Sequence, residues 1–395
     1  MGVDGGKTCL LVTNIFPPAL GGSSQVYAAL AACGGVAVLT SSHDHTNGRE
    51  RPGWKLFDDR AGYPVHRVKC IRPFLRAVRP GLFYRLSEMG TVFKLAMTVA
   101  RLAWRYRVKA ICIADDETVG WLVMFAKYVL RRRALIYCHG DDLQGDEGER
   151  RRRGRWFGMA DAIVAANRYA MDLLVTRFGV PPQKIVLIPN GVDLSVFYPE
   201  PPPPRLAEQY GLAGRHVLLT LTRLVPRKGI DKVLEALPIV AAKFPDVIYL
   251  VVGEGPQREE LQKTAQTLGI EGLVKFAGAV SHDRTRHFYN SAEIVLLPNR
   301  VEDGDADGLP LVFLEANACA KPVIGGKAAG SAEIIRDGEN GLLVDGRDAR
   351  GIAAAICALL GDEGRRTAMG RKGREMAQAW GWPARAQMFL QACRG

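Results

Sequence analysis

The sequence lacks the features that mark several large classes of protein. No segment holds 18 uninterrupted apolar residues, so no transmembrane helix is predicted. The eight cysteines form no C-x-x-C pair, and most lie in apolar runs such as Cys9-Leu-Leu-Val12, which is typical of buried reduced thiols. The residues before Cys9 lead straight into that short run, whereas a signal peptide needs a longer apolar core. We therefore expect a cytoplasmic protein.

Acidic residues are scarce in the first half of the chain. The 395 residues include 53 Lys plus Arg and 41 Asp plus Glu, a formal net charge of +12. Residues 1–200 hold 28 basic and 18 acidic side chains, which leaves 25 and 23 for the remainder. The first half is therefore expected to meet an anionic partner, and nucleic acid, a membrane surface and a phosphorylated substrate all stay open.

Short apolar runs alternate with helix-length amphipathic stretches, which predicts parallel strands covered by helices on both faces. Proline is concentrated at 199–204, and this run predicts a linker between two doubly wound α/β domains. The predicted domains are 1–198 and 205–378, with a final helix at about 380–395 that returns to the first domain. The predicted strands are 9–13, 36–40, 65–68, 110–114, 134–138, 162–165 and 185–188, then 217–222, 247–252, 274–277, 294–297 and 322–324.

The usual nucleotide-binding fingerprints are missing near the first strand. Gly6-Lys7-Thr8 precedes that strand, whereas the Gly-Lys pair of a P-loop follows one. Beyond the strand, Gly21 and Gly22 open a helix without the spacing of a dinucleotide motif. Free backbone N–H groups at such a position favour a phosphate, although an ordinary turn explains the glycines equally well.

One histidine lies where ligands usually bind in an α/β sheet. His139 follows the predicted strand 134–138, so a hydroxyl-binding role is favoured over a structural one. The pair His43 and His45 is interpreted as a solvated loop, because no third metal ligand accompanies it.

The second half carries two cations just after its first strand. Arg223 and Lys228 could converge on a diphosphate, with the N-terminus of the following helix adding positive potential. A second glycine turn, at Gly253, follows the next strand. Asp303 and Asp305 lie in a polar loop and are interpreted as solvated, so no metal site is predicted.

Two carboxylates, Asp307 and Glu315, flank a further glycine turn at the start of a helix. Their spacing predicts Asp307 at the mouth of the helix and Glu315 in its third turn. Carboxylates there would suit hydroxyl groups of a ribose and a sugar. The free N–H groups of Leu311 and Val312 would suit phosphate, since Pro310 has none to offer.

Taken in order, these motifs resemble glycosyltransferase family 4, whose members are retaining, nucleotide-sugar-dependent enzymes of the GT-B fold. The resemblance covers nearly the whole chain, and it is strongest from Pro189 to Val344. It rests on the Gly21-Gly22 loop, His139-Gly, Pro189-Asn-Gly-Val-Asp193, Arg223 to Gly229, Gly253-Glu-Gly-Pro256, Asp307 to Glu315, and Gly330-Ser-Ala-Glu333 to Val344.

The resemblance implies roles for these residues around a UDP- or GDP-sugar. Gly21 and Gly22 would approach the distal phosphate, and Arg223 and Lys228 would neutralise the departing diphosphate. His139 would lie beside the transferred sugar. No cofactor and no metal would be needed.

The remaining implied contacts belong to the donor site of the second domain. Glu315 would bind the ribose hydroxyls and Asp307 a sugar hydroxyl, while backbone near Val280 would meet the base. The other implied donor-binding residues are Gly253, Leu309, Pro310, Leu311 and Val312. The sequence departs from the family at Asp307, where Glu is usual, and at Leu309, where Phe is common.

Most of the basic excess lies in one segment, 67–109, which holds eleven Lys or Arg and only Glu88. Apolar side chains are interleaved, among them Phe74, Leu75, Phe83, Tyr84, Leu86, Phe93, Leu95 and Trp104. This pattern favours contact with an anionic membrane face, so we expect an enzyme peripheral to the membrane with a lipid-linked, glycan or phosphorylated acceptor. Arg72, Arg76, Arg79 and Arg85 are the candidate surface. The alternative is that the apolar residues pack in the core.

Two other functions fit parts of the sequence. A sugar-nucleotide epimerase shares the two-domain plan but would consume the donor without an acceptor. A basic nucleic-acid-binding protein would leave the phosphate motifs of the second half unexplained, so no nucleic-acid partner is expected. The sequence leaves open the nucleotide, the sugar, the acceptor and the oligomeric state.

Overall fold

The chain forms two α/β units and passes between them twice. Unit 1 comprises Met1–Asn190 and Trp382–Gly395, and unit 2 comprises Gly191–Gly381. The structure is a computed structural model. It describes residues 6–19, 22–44, 48–71, 82–114, 116–143, 145–302, 308–328 and 330–395.

Unit 1 is built on a parallel sheet of seven strands in the order β3-β2-β1-β4-β5-β6-β7. The strands are β1 (Cys9–Val12), β2 (Val36–Ser41), β3 (Val65–Val68), β4 (Ala110–Ile113), β5 (Arg133–Cys138), β6 (Ala162–Ala165) and β7 (Ile185–Leu187). The central strands are buried along their whole length, as the continuous apolar runs require of a sheet covered on both faces.

The helices of unit 1 cover both faces of this sheet. They are α1 (Gly22–Ala32), α2 (Trp54–Arg60), α3 (Leu82–Arg105), α4 (Asp116–Val119), α5 (Leu122–Met124), α6 (Glu147–Met159), α7 (Arg168–Thr176) and α16 (Trp382–Arg394). A π-helical turn, Phe125–Val129, continues α5. Side chains of α3, α5, α6 and α7 share one hydrophobic core, whereas α16 packs against α1, β4 and β5.

Unit 2 repeats the plan with a parallel sheet of six strands in the order β10-β9-β8-β11-β12-β13. The strands are β8 (His216–Leu221), β9 (Val247–Val252), β10 (Val274–Gly278), β11 (Ile294–Leu297), β12 (Val323–Gly326) and β13 (Gly341–Val344). The helices are α8 (Pro204–Tyr210), α9 (Ile230–Ala241), α10 (Arg258–Thr267), α11 (His282–Ser291), α12 (Leu311–Ala318), α13 (Ser331–Ile334), α14 (Ala349–Leu360) and α15 (Glu363–Gln378).

The observed strands agree with the sequence. Every predicted strand is present to within two residues at either end. The prediction missed β13, a short edge strand that begins on a glycine just after the Asp337–Asn340 turn. The C-terminal helix returns to unit 1, as predicted.

The proline run is not the connection between the units. The chain enters unit 2 at Gly191, and the residues before the prolines are already anchored there. Phe197 is buried in the core of unit 2, and Glu200 contacts both His287 and Arg286 of α11. Prolines exclude a helix interior or a central strand, but they do not prevent an extended segment from packing on a surface.

Each sheet has one point at which the strand order reverses, between β1 and β4 in unit 1 and between β8 and β11 in unit 2. The loops that follow parallel strands gather at the carboxyl edge of the sheet, and ligands of doubly wound folds bind at such reversal points. None of the helices in the described part of the chain combines the length and apolar character needed to cross a bilayer.

Candidate active site

The loop after β8 brings the two predicted cations to the carboxyl edge of the unit 2 sheet. Arg223 is exposed and lies two residues beyond the strand. Lys228 ends a short 3-10 turn, Pro226–Lys228, and only Gly229 separates it from α9. Both therefore lie at the β8–β11 reversal, close to a helix N-terminus whose free N–H groups favour an anion.

Glycines allow this loop to pack tightly. Gly229 has a positive φ of 72°, and a Cβ added there would lie 2.2 Å from the carbonyl oxygen of Pro298, after β11. Gly253, after β9, would place its Cβ 1.8 Å from the carbonyl oxygen of Thr222. The structure thus gives both glycines a packing reason. The predicted contact between Gly253 and a donor stays a prediction.

The loop after β11 contributes residues that the sequence analysis missed. Arg300 donates to both carboxylate oxygens of Asp231, in the first turn of α9, and to Glu302 at 2.7 Å. The side-chain oxygen of Asn299 accepts from the backbone N–H of Gly326 and from the hydroxyl of Ser331. Asn299 therefore ties the loop after β11 to both ends of the connection between β12 and α13. Its place two residues beyond a buried strand is the signal that could have identified it.

Helix α12 carries the predicted donor-binding segment. Leu309 and Pro310 are buried, Pro310 stands at the N-cap, and Leu311 and Val312 form the first turn. Glu315 is the fifth residue of the helix, so it lies in the second turn and not in the predicted third. The helix begins later than expected because Pro310, with φ −69° and ψ 99°, is still extended. Asp307 lies outside the described residues.

Glu315 is held by a buried tyrosine. The hydroxyl of Tyr289, on α11, donates to Glu315 Oε2 at 2.6 Å. Burial raises the pKa of Glu315 to about 7, against the opposing effect of this hydrogen bond. The carboxyl group is thus close to the balance between its charged and neutral forms near neutral pH. Tyr289 left no signal in the sequence that would separate it from other buried aromatic residues.

The residue predicted to lie near the nucleotide base, Val280, is in the loop after the edge strand β10. Val280 lies two residues beyond β10 and is partly buried against the core of unit 2. It shares the carboxyl edge with the loops of Arg223 and Gly253. The predicted donor residues that the structure describes in this unit therefore lie at one edge, or in the helix that begins there.

In unit 1, Gly22 and His139 also lie at the carboxyl edge of the sheet. Gly22 is the first residue of α1, which follows β1, whereas Gly21 lies outside the described residues. His139 directly follows β5. Its ring nitrogen Nε2 lies 2.9 Å from the hydroxyl of Tyr27, on α1. Burial lowers the pKa of His139 to about 4, so its imidazole is neutral at physiological pH.

The backbone around His139 is fixed by two side chains. Asp142 accepts hydrogen bonds from the N–H groups of His139 and Gly140, and Asn167 donates to the carbonyl oxygen of His139 at 2.7 Å. Asn167 also caps α7 by accepting from the N–H of Ala170. The loop is therefore anchored to the helix that follows β6.

The basic segment is described only in part. Arg72, Arg76 and Arg79 lie outside the described residues, and Arg85 is described only through the backbone of α3. From Met89 onward one face of α3 packs in the core through Leu95, Val99 and Leu102. Phe93 is 67% exposed and Trp104 is 84% exposed. Core packing thus explains only part of the apolar pattern.

Metal ligation is predicted for none of these residues. Within the part of the chain that the structure describes, no three His, Cys, Asp or Glu side chains form a group that could hold a metal ion. His45, Asp303 and Asp305 lie outside that part. Lys7 and Thr8 precede β1, so they have no strand before them as a P-loop requires.

Comparison with known proteins identifies the family. A model described as Glycosyltransferase Family 4 matches residues 36–196, and one described as Glycosyl transferases group 1 matches residues 205–376. The chain is 32% identical, over 98% of each chain, to a GDP-mannose-dependent alpha-(1-6)-phosphatidylinositol monomannoside mannosyltransferase of Mycolicibacterium smegmatis. The chain belongs to glycosyltransferase family 4. The predicted activity of a glycosyltransferase is confirmed.

One further relative of this family 4 enzyme and one solved structure of similar fold are informative. A D-inositol 3-phosphate glycosyltransferase of Segniliparus rotundus is 32% identical, over 88% of this chain and 78% of that protein. The crystal structure of Anabaena Alr3699/HepE in complex with UDP has a TM-score of 0.79 at 20% identity, over 97% of this chain and 98% of that chain. The predicted GT-B fold is confirmed. The roles of individual residues stay predictions.

Proposed function

We propose that this family 4 enzyme transfers mannose from GDP-mannose to a phosphatidylinositol mannoside. The mannosyltransferase of Mycolicibacterium smegmatis, which matches almost from end to end, supports both the donor and the acceptor. The observation that carries the general reaction is the placement of Arg223 and Lys228 at the strand reversal of unit 2. Cations and free N–H groups at that position suit a diphosphate.

The chemistry follows from where charge develops. As the glycosidic bond to the donor breaks, positive charge grows on the sugar ring and negative charge on the departing diphosphate. Arg223, Lys228 and the first turn of α12 are already in place around that edge, so they stabilise the diphosphate without reorganising during the reaction. In this proposal they balance its charge without a metal.

Two further side chains orient the donor. Glu315 accepts hydrogen bonds from the ribose hydroxyls, and Tyr289 holds its carboxylate in place. Neutral His139 meets a hydroxyl of the transferred sugar, where a charged imidazolium would oppose the positive charge of the ring. Retention of the anomeric configuration is the outcome that the family resemblance implies.

The exposed face of α3 supports a lipid acceptor. Four large apolar side chains, Met89, Phe93, Met97 and Trp104, are 56–84% exposed and recur at four- and seven-residue spacings along one face. Lys94, Arg101 and Arg105 are exposed on the same helix. An apolar stripe with flanking cations suits the surface of an anionic bilayer, where the helix would lie in the interface. We propose that the enzyme meets its acceptor there.

A soluble acceptor is the second candidate. The relative of Segniliparus rotundus is named for D-inositol 3-phosphate, which carries the same inositol phosphate chemistry without acyl chains. The exposed stripe of α3 favours the lipid, because a soluble acceptor gives such a face no purpose.

The donor and acceptor are tested together by measuring transfer with the purified enzyme. GDP-mannose and UDP-glucose are supplied separately, each with phosphatidylinositol monomannoside in vesicles or with free D-inositol 3-phosphate. We expect a mannosylated lipid when GDP-mannose is the donor and no glycosylated product when UDP-glucose is the donor. Transfer to D-inositol 3-phosphate and not to the lipid would establish the second candidate. Product with UDP-glucose and none with GDP-mannose would refute the proposed donor.

The membrane contact is tested by co-sedimentation with anionic vesicles. The double variant Phe93→Ser, Trp104→Ser should lose most of the binding, and high salt should weaken the binding of the wild type because the cations are exposed. Ile239→Ser serves as the control, since Ile239 is an exposed apolar residue of unit 2. Equal sedimentation of all three proteins at low salt contradicts the assignment of α3.

A further inference from the structure

Tyr27 links α1 to the predicted sugar-contacting histidine. Its side chain is only 2% exposed, and its hydroxyl oxygen lies between two partners. One is His139 Nε2, at 2.9 Å, and the other is the carbonyl oxygen of Ala114, at 3.4 Å, just beyond β4. The phenol therefore joins the loops that follow β4 and β5, beside the strand reversal of unit 1.

These contacts favour one arrangement of protons around the ring. A carbonyl oxygen can only accept, so a Tyr27 hydroxyl that bonds to Ala114 donates its single proton there. In that arrangement the same hydroxyl oxygen accepts from His139 at 2.9 Å, which places a proton on Nε2. Burial lowers the pKa of His139, so the ring is neutral and holds only one proton. Nδ1 is thereby left as a hydrogen-bond acceptor.

We propose that Tyr27 is a positioning residue: its phenol fixes the tautomer and the ring orientation of His139, so that Nδ1 accepts a hydroxyl proton of the transferred sugar. This proposal rests on the proposed function for the sugar contact. The contact between Tyr27 and His139 itself is observed in the structure. The backbone clamps from Asp142 and Asn167 hold the loop, but neither of them bonds to the ring.

A second tyrosine beside the same histidine provides a matched control. The ring of Tyr137 lies 5.0 Å from that of His139, centroid to centroid, and it also contacts Tyr27 edge to face. Its hydroxyl is buried and has no hydrogen-bond partner among the described residues. Tyr137→Phe thus removes a phenolic hydroxyl from the same cluster without removing a hydrogen bond to the histidine.

The experiment uses the full-length enzyme labelled with ¹⁵N at histidine, with His139→Ala to assign the signal of His139. In the wild type we expect the ¹⁵N shifts of a neutral ring protonated at Nε2. Tyr27→Phe should shift the ring toward a mixture of tautomers, whereas Tyr137→Phe should leave it unchanged. A wild-type ring protonated at Nδ1, or an unaltered tautomer in Tyr27→Phe, overturns the proposal. The wild-type spectrum decides the first point even if a variant folds poorly.

Kinetics separate positioning from general damage. Tyr27→Phe should lower kcat roughly ten- to a hundredfold, the range expected when a catalytic group loses its orientation, with little change in the KM for GDP-mannose. Tyr137→Phe should retain wild-type kcat. A changed tautomer with unchanged kcat refutes the role in catalysis. If the wild type transfers no mannose, the proposed function fails, while the NMR result still decides whether Tyr27 sets the tautomer.

Discussion

Burial drives two site residues toward their neutral forms. Glu315 has its pKa raised to about 7, and His139 has its pKa lowered to about 4. In both cases desolvation is the main cause, because a charge loses its hydration inside the protein. Each residue makes one hydrogen bond to a buried tyrosine, Tyr289 or Tyr27. Each unit thus contains a buried titratable side chain that is hydrogen-bonded to a phenol.

Glu315 should make the stability of the enzyme depend on pH. Its folded pKa is raised above the ordinary value of 4.5, so its contribution is fully present below pH 4.5 and is lost as pH rises through 7. Over that window the free energy of unfolding should fall by about 3 kcal/mol through this group. Glu315→Gln should abolish that part of the slope, measured by denaturant unfolding between pH 5 and 8.

The control for this slope is Glu302→Gln. Hydrogen bonding to Arg300 lowers the pKa of Glu302, so it stays charged throughout the same window. Its variant should therefore keep the wild-type slope. An identical slope in Glu315→Gln and wild type would show that Glu315 is not desolvated as described.

The position of His139 could be predicted at the residue scale, but its surroundings could not. A histidine directly after a buried strand lies at the carboxyl edge, and this follows from the strand pattern alone. The hydrogen-bond partner of its ring, Tyr27, lies on α1 and is 112 residues away in the sequence. Local patterns carry no information on such contacts.

At the scale of elements, the loop after β8 owes its shape to close backbone packing. Gly229 and Gly253 let it approach the loops after β11 and β9. Backbone hydrogen bonds from Thr222 to Val252 and from Leu224 to Glu254 continue the contact beyond the strands. The loop that presents Arg223 and Lys228 is thus held on both sides.

Gly229→Ala should lower the free energy of unfolding by more than the cost of placing alanine at a positive φ. Both Gly229 and Gly269 have positive φ, 72° and 64°, but only Gly229 meets another backbone within contact distance of the added Cβ. We expect about 1 kcal/mol for Gly269→Ala from the left-handed backbone, and about 2–4 kcal/mol for Gly229→Ala once the clash with Pro298 is added. Denaturant unfolding of the two variants measures the difference, and equal losses would refute the close-packing argument.

The proline run shows that sequence composition does not reveal what a segment packs against. Residues 199–204 have the composition of a linker, yet Glu200 is bound by α11 and the chain changes units earlier, at Asn190. Composition indicates what such a segment cannot form. It does not indicate what the segment packs against, because the partners lie about 90 residues further along the chain.

At the scale of the whole molecule, the basic excess and the cations proposed to bind the diphosphate lie in different units. The basic excess belongs to unit 1, where the described part of α3 exposes both cations and large apolar side chains. Unit 2 is nearly neutral and places only a few cations at its strand reversal. The two-unit architecture could be predicted because long apolar runs and helices alternate regularly. The acceptor could not, since charge distribution alone does not distinguish one anionic partner from another.

The most direct test is the rate of mannose transfer from GDP-mannose by Lys228→Ala, compared with the wild type and with Lys232→Ala. Lys232 lies in the first turn of α9 and is paired with Glu235. Lys232→Ala therefore removes the same charge nearby, but from a residue outside the loop at the strand reversal. Lys228→Ala should lower kcat at least about a hundredfold, as expected when a donor that stabilises developing negative charge is lost. Lys232→Ala should stay near the wild-type rate. Near wild-type turnover in Lys228→Ala would contradict the assignment of the diphosphate to this edge of unit 2.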